Sequence, residues 1–210
     1  MQSRVAVAAG LAFLLALVAA QAFRAWRYFP MFMGDQGWYL QVAARVSRGD
    51  VLYRDVAWAY GPLPAQFLAV LLRWRPEAGL ATAVNGVLAA ASLLLTYAAL
   101  RSLLRPGTAL VFTGFVALAG PYVGGDLIRL HLYTYTQAVS WGMALSLAAL
   151  VAALRWQRVG HWLWAAAAGG LTGLAFLSKP EFGVSAAGSV LAVLFTGRAP
   201  LRAWAACLAA

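Results

Sequence analysis

A chain of 210 residues that is 63% apolar and only 10% charged, with a mean hydropathy of +0.76, carries more apolar surface than a water-soluble core can hide. It reads as an integral membrane protein of several transmembrane helices. The net charge of +10 would suggest nucleic acid in a soluble protein, but the arginines stand singly between long apolar runs, as topology signals do. No nucleic-acid partner is expected. Cys207 is the single cysteine, so no disulfide and no thiolate metal cage can form within the chain.

The first apolar run, Val5 to Phe23, is broken only by Gln21 and is about long enough to cross a hydrocarbon core of roughly 30 Å. A cleaved signal peptide is the rival reading, but the run is longer than an ordinary signal core. Further runs are expected at Ala78 to Leu100, Thr108 to Val123, Leu132 to Leu154, His161 to Leu177 and Phe182 to Thr196, with another opening at Leu201. The fifth and sixth are short for a span, which tilt or a thinned bilayer would accommodate. The expected fold is all-α: a polytopic membrane helical bundle of about six or seven spans. Residues 1–210 are read as a single transmembrane domain, the N-terminal part of a longer module, because the last run is cut at Ala210.

Threading the N-terminus into the cytoplasm collects Arg4, Arg101, Arg105, Arg155, Arg158, Arg198 and Arg202 in short acid-free cytoplasmic segments. All six acids then fall outside: Asp35, Asp50, Asp55 and Glu77 in the first external loop, Asp126 in the second and Glu181 in the third. This is the positive-inside arrangement. Alanine and glycine recur through the spans, as at Ala165 to Gly170, and allow close helix approach.

The first external loop, residues 24–77, is far longer than the others, and a loop of that length ordinarily has structure and function. Within it Gln36 to Val46 has the amphipathic pattern of a helix lying on the membrane surface. Pro62 to Trp74 is apolar but too short to cross, so it reads as an interfacial or re-entrant helix. The two histidines, His131 and His161, belong to opposite faces on this threading, and no metal site is expected from them.

The loop reads Gly34-Asp35-Gln36-Gly37-Trp38-Tyr39, then Gly49-Asp50-Val51-Leu52-Tyr53-Arg54-Asp55, then Tyr60-Gly61-Pro62-Leu63. This order resembles the first extracytoplasmic loop of the type-C (GT-C fold) membrane glycosyltransferases. It is most similar to the branch of protein O-mannosyltransferases, lipid A aminoarabinose transferases and bacterial Rgt-like sugar transferases. The layout is similar over the whole chain, whereas the motif support is confined to Asp35 to Leu63, Asp126 and the turn Ser178-Lys179-Pro180-Glu181.

The resemblance implies a multi-pass enzyme, in the bacterial inner membrane, that moves a sugar from a polyprenyl-phosphate donor to a glycan, lipid or protein acceptor. Transfer is by inverting displacement on the extracytoplasmic face. Asp35 then matches the aspartate that acts as, or beside, the general base, since an acceptor hydroxyl must lose a proton as it attacks. Many relatives have an acid next to that aspartate where this chain has Gln36, which leaves any second acidic role to Asp126. Tyr39, Arg54, Asp55, Arg129 and Lys179 are the implied substrate-binding residues, with Lys179, the only lysine beside fifteen arginines, a contact to the donor phosphate. No cofactor is implied; a divalent ion shared by Asp35 and Asp126 is left open.

Each assignment has a plainer alternative. Asp35 can be an ordinary helix-capping aspartate, Asp126 a solvated loop acid near Arg129, and Lys179 a snorkelling interfacial lysine. A transporter or channel would instead line its path with buried acids, yet every acid here sits in a loop or at a helix end, and the spans hold only groups such as Asn85, Thr96, Gln137 and Ser140. A catalytically inactive scaffold of the same fold is the third reading.

Overall fold

A computed structural model describes residues 2–27, 35–119 and 137–210. Among them the chain is all-helical: α1 (Gln2–Arg27), α2 (Asp35–Ser47), α3 (Pro62–Trp74), α4 (Gly79–Leu103), α5 (Pro106–Ala119), α6 (Gln137–Val159), α7 (Trp162–Ser178), α8 (Pro180–Thr196) and α9 (Leu201–Ala209).

The boundaries have local causes. Proline stands at the first turn of α3 and of α8, where its missing N–H costs no hydrogen bond. His161 caps α7 by accepting the Leu163 amide at its Nδ1. Gly160, at a φ of 72°, turns the chain between α6 and α7 in a conformation that suits glycine.

α6 is the centre of the bundle, packed on α4, α7 and α8, while α9 lies on α7 and the α1–α5 pair lies on α4. The interior is built from small side chains. Ala149, Ala153, Ala165, Ala168 and Ala175 are wholly buried, along with Ala186 and Leu194. A Cβ on Gly169 would fall 1.9 Å from the Cys207 carbonyl oxygen, and one on Gly142 would fall 2.6 Å from the Phe182 ring. Those close approaches exist only because the side chain is absent. Large apolar side chains point outward instead, as Phe13, Val87, Val111, Phe115, Val184 and Phe195 do. Small residues inside and large apolar residues outside is the inverse of packing for water.

Two helices among the described residues, α4 and α6, are long and apolar enough to cross a membrane. α7 and α8 are apolar but have 17 residues each, about 25 Å of helix. Length therefore marks two spans, not the expected six or seven.

Charge is sorted to the two ends. The Arg158 guanidinium donates to the Ser102 carbonyl, and Gly197 meets Trp156 and Gln157, so the C-terminal ends of α4, α6 and α8 share one end with Arg101, Arg155 and Arg198. At the other end Gln137 Nε2 donates to the Ala81 carbonyl at 2.8 Å and Ser178 Oγ to the Ala138 carbonyl at 2.8 Å. The starts of α4 and α6 thus meet the end of α7 there, together with the segment 35–78.

Candidate functional site

The segment expected to be a structured loop is a small folded unit. α2 and α3 run side by side in the same direction, since the Tyr39 hydroxyl near the start of α2 donates to the Pro64 carbonyl near the start of α3, and Arg73 Nε near the end of α3 donates to the Ser47 carbonyl at 3.1 Å. Residues 48–61 carry the chain back between them. Gly49 takes a φ of 110° and Tyr53 one of 70° on the way. The backbone is pinned where it turns: Val51 N–H donates to Asp55 Oδ2 at 2.8 Å, Tyr53 N–H to the Val56 carbonyl at 3.0 Å, and Arg45 Nη2 to the Asp55 carbonyl at 2.9 Å. Its core holds Tyr39, Val42, Ala43, Leu52, Val56 and Leu68.

Aromatic rings cover the end of this unit where α2 begins. Trp58 is the hub, 4.9 Å from Trp38, 5.6 Å from Tyr39 and 5.2 Å edge-on from Tyr60 between ring centroids, within the range where such pairs attract. Its indole N–H donates to the Gly61 carbonyl at 2.9 Å. The Tyr53 hydroxyl donates to the Tyr60 carbonyl at 2.6 Å.

This end docks onto the turn between α7 and α8. Gly61 N–H donates to the Ser178 carbonyl at 3.0 Å, and a Cβ at Gly61 would lie 2.0 Å from the Leu177 carbonyl oxygen, so only glycine admits the contact. Lys179 Nζ lies 5.7 Å from the centre of the Tyr60 ring and 3.7 Å from Glu181 Oε1, a mostly covered lysine held between a ring face and a carboxylate.

The residues expected to bind substrate meet different fates. Asp35 is the first residue of α2, one turn before Trp38 and Tyr39; its side chain lies outside the described residues, as do Asp126 and Arg129. Lys179 is beside the aromatic cluster. Tyr39 is buried, with its hydroxyl engaged and its ionisation pushed up by burial. What it contacts is α3, so as placed it is a strut rather than a free ligand-binding group. Arg54 and Asp55 face each other at 2.8 Å and 3.0 Å. The guanidinium first, and the Val51 amide second, hold the Asp55 carboxyl down at about 2. As placed, that pair ties the connecting segment together. Trp58 was not foreseen as a site residue, because it sits in an irregular stretch where hydrophobic periodicity gives no signal.

No protein-family model, curated protein or solved structure matches the chain. The chemistry of this end therefore rests on its own residues: an aspartate in the first described turn of α2, an aromatic cover, and a single ammonium on the adjoining turn. A carboxylate can take a proton from a hydroxyl, aromatic faces stack on sugar rings, and an ammonium can meet a phosphate.

Proposed function

We propose that the chain is a type-C membrane glycosyltransferase, moving a sugar from a polyprenyl-phosphate donor to an acceptor hydroxyl at the end of the bundle that carries α2 and α3. The observation that carries this reading is the docking of Tyr60-Gly61 onto Ser178-Lys179. The two motif segments, far apart in sequence, share one end of the bundle with the helix that Asp35 opens. Asp35 takes the acceptor proton as the hydroxyl oxygen attacks the anomeric carbon, and the sugar–phosphate bond breaks on the opposite face of the ring. The lipid phosphate leaves with its charge met by Lys179.

The bundle lies in the bacterial inner membrane with its N-terminus in the cytoplasm. α1 and α4 to α8 are six of its spans, the shorter ones extended by flanking polar residues or set in a thinned bilayer, and α9 lies in the run that opens at Leu201. The outward-facing large apolar side chains and the arginine-only end support this placement. The donor is a membrane lipid; the acceptor is a glycan, lipid or protein.

A second reading, a transporter, draws on one observation. Thr82, Asn85, Ser92 and Gln137 are buried within α4 and α6, and among the described residues their Oγ1, Oδ1, Oγ and Oε1 atoms have no hydrogen-bond partner, which is costly unless something passes or binds there. Asp35→Asn separates the readings. In the full-length enzyme it should lower transfer about 10² to 10⁴-fold, the usual worth of a positioned base, with membrane insertion and donor binding retained. Transfer within a few-fold of wild type would remove Asp35 from the reaction, and substrate flux lost in Asn85→Leu but kept in Asp35→Asn would favour transport. Absence of transfer in wild type and variant alike would leave an inactive scaffold.

A further inference from the structure

The α2–α3 pair has a second end, remote from Asp35 and the aromatic cluster, with chemistry of its own. A groove of about 590 Å³ opens between the last turns of the two helices and the start of α4, a size usual for ligand sites. Leu40, Ala44, Leu72 and Pro76 give it an apolar floor, and Arg48 and Arg73 stand at its edge.

The charge there is unbalanced in a specific way. Asp50 is paired with Arg45 at 2.6 Å, Asp55 with Arg54 at 2.8 Å and Glu77 with Arg75 at 2.8 Å. Each acid of this segment with a described side chain is thus matched to a different arginine, and among the described residues Arg48 and Arg73 have no carboxylate. Arg73 is oriented by the bond from its Nε to the Ser47 carbonyl, which leaves its two Nη groups for another acceptor. Trp74, the last residue of α3, is 89% exposed on the same end, where an amphipathic ring suits the membrane–water boundary.

We propose that this groove holds an anionic phospholipid of the surrounding membrane, its phosphate between Arg48 and Arg73 and the first part of an acyl chain over Leu40, Ala44 and Leu72. Trp74 sits among the neighbouring headgroups. A zwitterionic lipid offers the same phosphate but carries its own cation beside it, which leaves the charge of two guanidiniums unbalanced, and a free phosphate would leave the floor wet; an anionic amphiphile answers both. The site fixes the height of the α2–α3 unit on the bilayer. It does not depend on sugar transfer, and the two ideas fail separately, because one is read by lipid retention and the other by turnover.

The test uses the full chain in nanodiscs of phosphatidylcholine with a minor fraction of phosphatidylglycerol, released gently and weighed by native mass spectrometry. Wild type should retain one phosphatidylglycerol in preference to phosphatidylcholine. R48Q and R73Q should each weaken retention about 5-fold, and the double variant about 25-fold, from the usual worth of one basic side chain at an anionic surface. R75Q, whose arginine is already paired with Glu77, should behave as wild type. A44W fills the floor and keeps both arginines, so it should also release the lipid. Should the double variant fold poorly, R48Q alone decides, since the Arg48 side chain makes no hydrogen bond or ion pair among the described residues. Equal loss in R75Q would mean general surface charge and overturn the site. So would equal retention of the two lipids, or displacement by glycerol phosphate at the concentration of the lipid itself.

Discussion

Gly61→Ala tests the joint on which the candidate site depends. The added Cβ would stand 2.0 Å from the Leu177 carbonyl oxygen, 2.3 Å from its carbon and 2.9 Å from the Ser178 nitrogen, where ordinary contact begins at 3.4 Å. These are backbone atoms at the end of α7, so no side chain can swing aside. Relief requires a shift of about an ångström or more, which breaks the 3.0 Å bond from Gly61 N–H to the Ser178 carbonyl. Overpacking of this kind costs roughly 1–3 kcal/mol and the lost hydrogen bond about 1 kcal/mol, so the docked state should lose about 2–4 kcal/mol. Hydrogen exchange by mass spectrometry in detergent reads this directly. Residues 58–61 and 177–179 should exchange on the order of 30-fold to 1000-fold faster if they open locally, while the α4–α6 contact is unchanged. Gly107→Ala, where a Cβ meets nothing within 4 Å, is the control. If Gly61→Ala exchanges like wild type in both peptides, the joint does not exist as described.

Lys179→Ala should raise the donor concentration needed for half-maximal transfer, and Lys179→Arg should restore it only in part, because a fork and a point charge are not equivalent; steady-state kinetics decide. Full tolerance of arginine with little loss in alanine would return Lys179 to a snorkelling residue stacked on Tyr60. In a Cys207→Ala background, a cysteine at Ser47 should react with an impermeant thiol reagent in intact cells and one at Ser102 only after permeabilisation; the reverse pattern would invert the threading. Asp55 has a folded-state pKa of about 2, below its ordinary 3.8, so its ionised form stabilises the connecting segment fully above about pH 4, and that contribution is lost as the pH falls through about 2. Pepsin cleavage within residues 48–61 should therefore rise across that window in wild type and be high throughout in Asp55→Asn; a flat wild-type profile would deny the pairing.

Helix placement was legible where the sequence carries its own punctuation. α3 has the bounds that Gly61-Pro62-Leu63-Pro64 and Trp74-Arg75-Pro76 mark, and α4 and α8 fall within a few residues of their apolar runs. α1 runs past Phe23 to Arg27 because a span ends where transfer into lipid stops being favourable, whereas a helix continues through arginine, a good helix former. The amphipathic helix at Gln36 to Val46 was legible, and α2 covers it. Tyr39 was not legible as a strut, since spacing places a tyrosine on the apolar face but cannot show that Pro64 offers its hydroxyl a carbonyl. Nor could Trp58 be read as the centre of the aromatic cluster, because that depends on α2 and α3 running in parallel, which follows from how residues 48–61 return. The pairing of Gly61 with Ser178 is likewise invisible locally, as it joins segments separated by more than a hundred residues that include α4, α5, α6 and α7.

That separation sets an order of assembly. The α2–α3 unit has its own core and emerges from the ribosome early, but the carbonyl that anchors it belongs to Ser178 and exists only after α4, α5, α6 and α7 have been made. At ordinary rates of synthesis the wait is on the order of ten seconds. During that interval the aromatic cover has no anchor, and the lysine beside it arrives with the same turn that closes the joint. Completion of this end of the molecule is therefore timed by synthesis of the α7–α8 hairpin, and a nascent chain stalled before that hairpin would lack both the carbonyl that anchors Gly61 and the lysine beside Tyr60.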